Sequence, residues 1–382
     1  MHLELTLSLG TDWADRTTDE IDAFGRDHAL LLERANRAGE FPRDLYLEMG
    51  KRGWIGPITP KEDGGLGGGI AEYSLICEEV TRHGLVSPQI SIQGQAWLLA
   101  WATAEQRARY LRGIATGETI FSESISEPGA SSSLKALTTG ARRDGGDWII
   151  CGTKTHVNLG AQSDVTLVYA HAEDRGLTSF LVDMSEPGIR ATQTDPIGLR
   201  MLPTAEIEFD EVRVPSTAVL GEVGGGLQTF LTTFNVSRLG NASELIGFSR
   251  RALTNAIDYA STRHVGDSVV TDFQGIQWTV ADCYGELYAA SLARDRAANI
   301  ADRGEDISLV TTIAKKLAID AAEHTINEVF ALIGSHGLYT NTDFGQLLQD
   351  LKVYRVAGGS LEVLRNYMSR RILGSENYEG LR

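Results

Sequence analysis

The stretch TAEIEFDEVRVP, residues Thr204–Pro215, is the part of the sequence that decides the fold class. Its apolar residues Ile207 and Phe209 alternate with Glu206 and Glu208, which is the period-two pattern of a strand with one buried face. Before residue 119 and after residue 222, apolar residues instead recur every three or four positions. We therefore predict a β segment enclosed by two helical segments.

The β segment contains further short runs of strand type, DWIICGTKTHV, SDVTLVYAHA and TSFLVDM. We predict three domains: a helical domain over residues 1–118, a β domain over residues 119–222 and a helical domain over residues 223–382. In the last domain, residues that step three and four positions along the chain form one apolar helix face, Ile319, Ala322, Ile326, Val329 and Ile333. The fold class is therefore α+β, and mostly α.

The composition indicates a globular protein that binds neither nucleic acid nor membranes. The 382 residues include 51 acidic and 35 basic side chains, and the net charge of -16 disfavours contact with a phosphate backbone. The sequence has no apolar run long enough for a membrane helix and no signal peptide at its start. Cys77, Cys151 and Cys283 are widely spaced and suggest neither disulfides nor a metal site. We expect a cytoplasmic protein without a metal.

Five motifs follow one another along the chain. They are SISEPGASSS (residues 124–133), GTKTHVNLG (152–160), FDEVRVP (209–215), YASTRHVGDSVVTDFQGIQ (259–277) and IGSHGLYTNTDFGQLLQDLKVYRVAGGSLEVLRN (333–366). In this order they resemble the acyl-CoA dehydrogenase family over nearly the whole chain. The resemblance implies an N-terminal helical domain, a small central β-barrel or sandwich domain and a C-terminal four-helix bundle. It also implies FAD as the cofactor and, usually, a tetramer.

The chemistry of this family sets three requirements. An acyl thioester is oxidised when a carboxylate removes the acidic proton beside the carbonyl and the hydrogen on the next carbon leaves as hydride to the flavin. The protein must therefore place the flavin, polarise the carbonyl and supply a base near the reacting carbon.

The resemblance implies which residues of the β domain hold FAD. Ile125 and Ser126 match positions at the edge of the isoalloxazine ring, and Ser132 matches a position facing the substrate or the pyrophosphate. His156 and Asn158 stand where the family usually has Trp and Thr. An imidazole can still stack on the flavin, and an amide can still donate toward N5. The alternative is a Ser-rich turn and a packed strand histidine without a ligand.

A second set of FAD contacts is implied in the C-terminal domain. Arg263 and Gln274 match positions that reach the FAD of a neighbouring subunit, where a guanidinium suits a pyrophosphate. The alternative for Arg263 is a surface arginine without a ligand. Further FAD contacts are implied for two turns of this domain, at Gly334 and Ser335 and at Ser360 and Glu362.

The base of the family is missing from both of its known positions. Gly358 stands where much of the family has the catalytic glutamate. Ser237 stands where a second subgroup has it, directly before an arginine that this chain retains as Arg238. A serine hydroxyl is too weak a base to act alone. The resemblance also implies that Gly358 and Gly359 lie in a loop between helices, where backbone N–H groups can approach the thioester carbonyl.

One predicted helix face offers a replacement carboxylate. It combines apolar ends with a polar middle and consists of Phe230, Phe234, Ser237, Asn241, Glu244 and Phe248. Glu244 lies two turns, roughly 10 Å, beyond Ser237. We predict that Glu244 either removes the α-proton or binds a polar group at the far end of the substrate; the alternative is a helix edge in contact with solvent. Glu123, near the flavin strand, is a further carboxylate.

The polar middle of this face favours a polar substrate. Contacts with it are predicted for Gln89 on the opposite wall and for Ser237, Arg238, Asn241 and Gly358. The leading hypothesis is an FAD-dependent dehydrogenase of a short, polar acyl thioester, carried by CoA or an acyl carrier protein in a biosynthetic pathway.

The expected assembly is a homo-oligomer, either a dimer or a tetramer, and an electron-transfer flavoprotein is a candidate partner. Two other functions fit the same fold. One is a flavin monooxygenase, because such relatives lack the glutamate and let reduced flavin react with oxygen. The other is a subunit without a base that completes an oligomer with an active paralogue.

Overall fold

The computed structural model describes residues 12–131 and 133–374. The N-terminal domain is built from helices joined by short loops. They are α1 (Asp12–Asp27), α2 (Ala29–Ala38), α3 (Arg43–Lys51), α4 (Ile70–Arg82), α5 (Gln89–Trp101) and α6 (Ala104–Thr116). Trp54 and Trp97 lie in the core of this domain and are almost completely buried. The prediction of a helical first domain is confirmed.

The central domain is an eight-stranded sheet. Its strands are β1 (Phe121–Ser124), β2 (Gly140–Asp144), β3 (Asp147–Asn158), β4 (Val165–Ala172), β5 (Leu177–Asp183), β6 (Ile189–Thr194), β7 (Thr204–Pro215) and β8 (Val219–Leu220). The order is β6-β7-β3-β2-β4-β5-β8, and β1 pairs in parallel with β4. In β7, Ile207 and Phe209 are buried and the two glutamates are half-buried, so the period-two prediction is confirmed.

The C-terminal domain is a helical bundle with a small hairpin. Its elements are α7 (Gly226–Thr262), β9 (His264–Val265), β10 (Ser268–Val269), α8 (Gln274–Asp302), α9 (Ser308–Ile333), α10 (Phe344–Val356) and α11 (Leu361–Leu373). Helices α7, α8, α10 and α11 all pack against α9. The predicted apolar stripe of α9 is confirmed, because its five residues belong to the core of the bundle.

Helix α7 joins the two helical domains. It has 37 residues and packs on α4 and α5 as well as on the bundle. Two of its glycines allow the close approach of α4. A Cβ at Gly240 would lie 1.8 Å from the Tyr73 hydroxyl, and one at Gly247 would lie 2.2 Å from the Glu78 carbonyl oxygen. The middle of α7 is therefore enclosed on both sides.

A buried network of charges fixes this arrangement. Glu78 of α4 is paired with Arg250 of α7 and with Arg294 of α8, where Nη2 donates to Oε2 over 2.7 Å. A second N–H of Arg294 donates to the Ser243 hydroxyl over 3.1 Å. Since these side chains are at most 2% exposed, the network clamps three helices together next to position 244.

Across residues 12–131 and 133–374, no helix combines the length and the apolar character needed to cross a membrane. Within the same ranges, no group of three His, Cys, Asp or Glu side chains is placed to hold a metal ion.

Candidate active site

Glu244 lies in the enclosed middle of α7 and is 3% exposed. It is not a helix edge in contact with solvent. The Ser87 hydroxyl donates a hydrogen bond to its Oε1. Burial raises the pKa of Glu244 to about 7, and hydrogen bonds with Ser87, Tyr354 and Asn241 oppose this rise. A carboxyl group with such a pKa can both accept and release a proton near neutral pH.

The other polar residues predicted on this wall lie beside Glu244. The Gln89 side chain donates to the Ser237 hydroxyl over 2.9 Å. Its backbone N–H donates to the Ser87 hydroxyl over 3.2 Å. Ser237 and Asn241 are 5% and 6% exposed. The structure therefore brings these predicted residues of α5 and α7 together in one polar wall.

Arg238 is buried and is directed toward α9. Its Nη1 donates to the Thr312 hydroxyl over 2.9 Å and to Asn235 Oδ1 over 3.0 Å. The guanidinium also lies over the Phe234 ring, 4.8 Å from its centroid. The predicted contact of Arg238 with substrate stays a prediction.

The loop between α10 and α11 explains why position 358 is glycine. Gly358 and Gly359 have φ angles of +63° and +94°, which are unfavourable for other residues. A Cβ at position 358 would lie 2.3 Å from Asn241 Oδ1 and 3.0 Å from Lys315 Nζ. Two polar side chains thus occupy the space into which a side chain at this position would extend.

Gly358→Glu is expected to lower the free energy of unfolding by more than backbone strain alone would. A left-handed non-glycine residue costs about 1–2 kcal/mol, and the overlap with Asn241 adds about 1–3 kcal/mol. Gly145→Glu is the matched control, because Gly145 has a φ of +62° but nothing within 4 Å of its Cβ position. The free energies of unfolding in urea give the comparison. Equal losses in the two variants would show that the space at position 358 is open.

Lys315 of α9 is a site residue that the sequence interpretation missed. It is completely buried, and its Nζ donates to the carbonyl oxygens of Ala357 and, over 3.1 Å, Gly359. Burial lowers the pKa of Lys315 to about 7; the positive charge of Arg238 adds to this effect, and Glu244 opposes it. A signal was present, since Lys315 lies four residues before Ile319 on the apolar stripe.

The segment after β1 is held by a second buried lysine. Lys154 of β3 donates to the Ile125 carbonyl over 3.0 Å and to Glu127 Oε1 over 2.8 Å. Glu127 also accepts the backbone N–H groups of Thr138 and Thr139. These hydrogen bonds lower the pKa of Glu127 to about 2. They fix the flavin segment, which is the stretch around Ile125 and Ser126 that is predicted to contact the flavin. The sequence patterns indicated neither Lys154 nor Glu127.

His156 and Asn158 are exposed on β3. The pairing of β3 with β7 is irregular between Lys154 and Val157, and His156 there has a φ of +56°. This bulge turns the imidazole outward, so His156 is not a packed strand histidine. Ser126, whose carbonyl accepts the Thr155 N–H over 2.8 Å, is half-buried beside the bulge. Ser132 lies outside the described residues.

The predicted residues of the C-terminal domain lie at the ends of its helices. Arg263 follows α7, Gln274 begins α8, and Gly334 and Ser335 follow α9; all four are exposed. His336 stacks on Tyr259 with ring centroids 4.2 Å apart, which joins the end of α7 to the turn after α9.

The last two predicted FAD contacts lie at the start of α11. The hydroxyl of Ser360, the N-cap of this helix, accepts a hydrogen bond from the Val363 N–H. Glu362 is exposed, and Arg355 donates to it over 3.3 Å. Contact of both residues with FAD stays a prediction.

Comparison with known proteins identifies the family. Models of the acyl-CoA dehydrogenase N-terminal, middle and C-terminal domains match residues 12–118, 122–212 and 224–373. The chain belongs to the acyl-CoA dehydrogenase family. It is therefore an FAD-dependent oxidoreductase that acts on CH–CH groups of acyl-CoA compounds.

Three relatives illustrate the range of this family. A 3-(aryl)acrylate reductase of Clostridium sporogenes is 29% identical over 97% of this chain and 98% of its own length. The caffeyl-CoA reductase-Etf complex subunit CarC of Acetobacterium woodii is 30% identical over 90% of this chain and 93% of its own. A glutaryl-CoA dehydrogenase structure from Mycobacterium smegmatis, in complex with FADH2, has a TM-score of 0.88 and 25% identity, covering 97% and 98% of the two chains.

The residues of this acyl-CoA dehydrogenase family member fit FAD. The left-handed backbone at His156 presents an imidazole on the surface of β3, and Asn158 presents an amide beside it. Arg263 supplies an exposed guanidinium, which is the group best suited to a pyrophosphate. These residues therefore combine a ring that can stack, an amide donor and a cation.

Glu123 is a second buried carboxyl group near the flavin segment. It pairs with Leu167 of β4, and its Oε1 has no hydrogen-bond partner within the described part of the chain. Burial raises the pKa of Glu123 to about 8. This carboxyl is mostly protonated at neutral pH and is less suited than Glu244 to remove a proton.

Proposed function

We propose that this protein is an FAD-dependent α,β-dehydrogenase of a short, polar acyl thioester, in which Glu244 removes the α-proton. One observation carries the proposal. Glu244 is a buried carboxyl group one helical turn from Asn241, and Asn241 Oδ1 lies 2.3 Å from the position that a Cβ at Gly358 would take. A titratable carboxyl thus stands close to the position where much of the family carries its base.

Each residue of the polar wall has a defined task in this proposal. Glu244 accepts the proton from the α-carbon, and Ser87 orients its carboxylate. Gln89, Ser237 and Asn241 offer hydrogen bonds to a polar acyl group. Asn241 Oδ1 has no hydrogen-bond partner within the described residues, and a plain fatty chain would leave it so. When bound, FAD accepts the hydride from the β-carbon.

The carrier of the acyl group and the electron acceptor belong to the same proposal. The acyl group is attached to CoA or to an acyl carrier protein, in a biosynthetic pathway of the cytoplasm. An electron-transfer flavoprotein is the proposed acceptor of the electrons. It is supported by the printed name of the relative from Acetobacterium woodii, which is a subunit of a complex with Etf.

Flavin reduction by thioesters tests the proposed function. The purified, FAD-loaded protein is mixed without oxygen with a panel of acyl-CoA and acyl-carrier thioesters, and the visible absorbance of the flavin is followed. The proposal expects bleaching by polar acyl groups in preference to alkyl chains of equal length. Oxygen consumption by NAD(P)H-reduced flavin without any thioester would instead support a monooxygenase. Absence of both activities, with a related glutamate-carrying chain co-purifying, would support the non-catalytic subunit.

A homo-oligomer, a dimer or a tetramer, is part of the proposal. Helix α8 exposes large apolar side chains along one stripe, where Trp278, Tyr288 and Leu292 are 61%, 47% and 51% exposed. Gly285 lies between them with open space above it. An apolar stripe of this size supports association between copies of the chain.

Arg263→Ala is expected to weaken FAD binding about 10-fold or more without unfolding the protein, because a charge-assisted hydrogen bond to a pyrophosphate is lost. Quenching of flavin fluorescence measures the dissociation constant, and sedimentation measures the assembly. Arg190→Ala is the control, since Arg190 is a 73% exposed arginine of the β domain. If both variants bind FAD equally well, Arg263 does not contact the cofactor.

A further inference from the structure

Lys315 lies behind the loop that carries Gly358. It belongs to α9 in the interior of the bundle, and its Nζ is bonded to the carbonyl oxygens of Ala357 and Gly359. The charged groups that act on it are Arg238 and Glu244, both of α7. The buried amine thus holds two peptide groups of one short loop from the same side.

These two hydrogen bonds determine where the N–H groups of the loop point. The described chain has no cis peptide bonds, and in a trans peptide the C=O and the following N–H point in opposite directions. The N–H groups of Gly358 and Ser360 therefore point away from Lys315. In the described ranges, neither donates to a backbone carbonyl. Both donors are available to a bound ligand.

A cation at the carbonyl end of a peptide strengthens its N–H donor at the other end. Hydrogen bonds polarise one another along a chain, and the effect is larger in a buried environment of low dielectric. Removing the α-proton breaks a C–H bond, transfers the proton to Glu244 and moves the electron pair toward the thioester carbonyl oxygen. Donors aimed at that oxygen stabilise the charge that develops on it.

We propose that Lys315 is a positioning residue that orients and polarises the Ala357–Gly358 and Gly359–Ser360 peptides, so that their N–H groups stabilise the enolate oxygen of the substrate. This inference rests on the proposed function. It gives a role to a buried amine that the chemistry of Glu244 does not use directly.

Three variants separate orientation from charge. Lys315→Met removes both. Lys315→Gln keeps N–H donors for the carbonyls but removes the charge. Lys316→Met is the matched control, because Lys316 is the neighbouring, partly exposed lysine that pairs with Asp320 on the helix surface.

Turnover of the FAD-loaded protein is the first measurement. Lys315→Met is expected to lower kcat about 10²-fold, and Lys315→Gln about 10-fold, with little change in KM. Lys316→Met is expected to behave like the unmodified protein. If a folded Lys315→Gln protein keeps full kcat, polarisation by the charge is refuted. If a folded Lys315→Met protein keeps it as well, the whole proposal is refuted.

The carbonyl stretch of a bound thioester is the second measurement, and it requires no turnover. Infrared spectra of a thioester labelled with ¹³C at the carbonyl report the strength of the hydrogen bonds to its oxygen. Both α-hydrogens of this thioester are replaced by fluorine, so that it has no α-proton to lose and cannot react. We expect a shift to lower frequency on binding to the unmodified protein and a smaller shift in both Lys315 variants. Equal shifts in all proteins would overturn the inference. Failure of every thioester to bleach the flavin would instead count against the proposed function.

Discussion

Glu244→Gln is expected to lower kcat/KM by about 10²- to 10⁴-fold on a thioester that bleaches the flavin, because a general base contributes about this factor. The amide keeps the size of the side chain but cannot accept the proton. Glu123→Gln is the matched control. Like Glu244→Gln it removes one buried carboxyl group, in this case beside the flavin segment, and it is expected to leave kcat/KM nearly unchanged.

The division of the loss between kcat and KM identifies the role of Glu244. A base that acts in the transition state lowers kcat, whereas a group that only anchors the polar end of the substrate chiefly raises KM. We expect the loss to appear in kcat. If neither parameter changes, the assignment is wrong, and Glu123 becomes the candidate base.

The pH dependence gives the same prediction a second form. Since the pKa of Glu244 is raised to about 7, the carboxylate that can act as a base forms as the pH rises through this value. In the unmodified protein kcat/KM should therefore rise with pH as Glu244 ionises and fall again as Lys315, whose pKa is lowered to about 7, loses its proton. The rising limb should be absent from Glu244→Gln.

Stability provides a check that the variant is folded. The folded pKa of Glu244 lies above its unfolded value, so its contribution to stability is present below the unfolded pKa and is lost as the pH rises through about 7. A glutamine does not ionise and avoids this loss. Above pH 7, Glu244→Gln should be at least as stable as the unmodified protein in urea unfolding.

Arg294→Leu is expected to lower the free energy of unfolding by about 3–5 kcal/mol, the range found when one partner of a buried ion pair is removed. The arginine is completely buried, and its loss leaves Glu78 with an unsatisfied oxygen in the interior. Arg296→Leu is the control, because Arg296 is exposed on the same helix. A loss below about 1 kcal/mol would show that the network does not clamp α4, α7 and α8 together.

The sequence predicted those features that depend on neighbouring residues. The alternation in β7 and the stripe on α9 follow from one strand and one helix, and both are confirmed. The shared face of α7 likewise predicted that Ser237, Asn241 and Glu244 lie together, because their spacing is fixed by the helix itself.

Other features of the site depend on contacts between distant parts of the chain. Asn241, Lys315 and Gly358 belong to three separate elements, and no local pattern indicates that the first two occupy the side-chain space of the third. The link between Ser87 and Glu244 is of the same kind. The lysine on the apolar stripe of α9 was a usable signal, since a buried amine needs hydrogen-bond partners, but the sequence could not identify them.

The central claim is that Glu244 accepts the α-proton in a protein whose two usual glutamate positions are occupied by Gly358 and Ser237. The most direct measurement is the exchange of the α-hydrogen with D₂O, using a bound acyl thioester analogue with sulfur in place of its β-carbon, which cannot give a hydride. We predict exchange in the unmodified protein and in Glu123→Gln, and a rate lower by about 10²-fold or more in Glu244→Gln. Equal exchange in the unmodified protein and Glu244→Gln would contradict the claim.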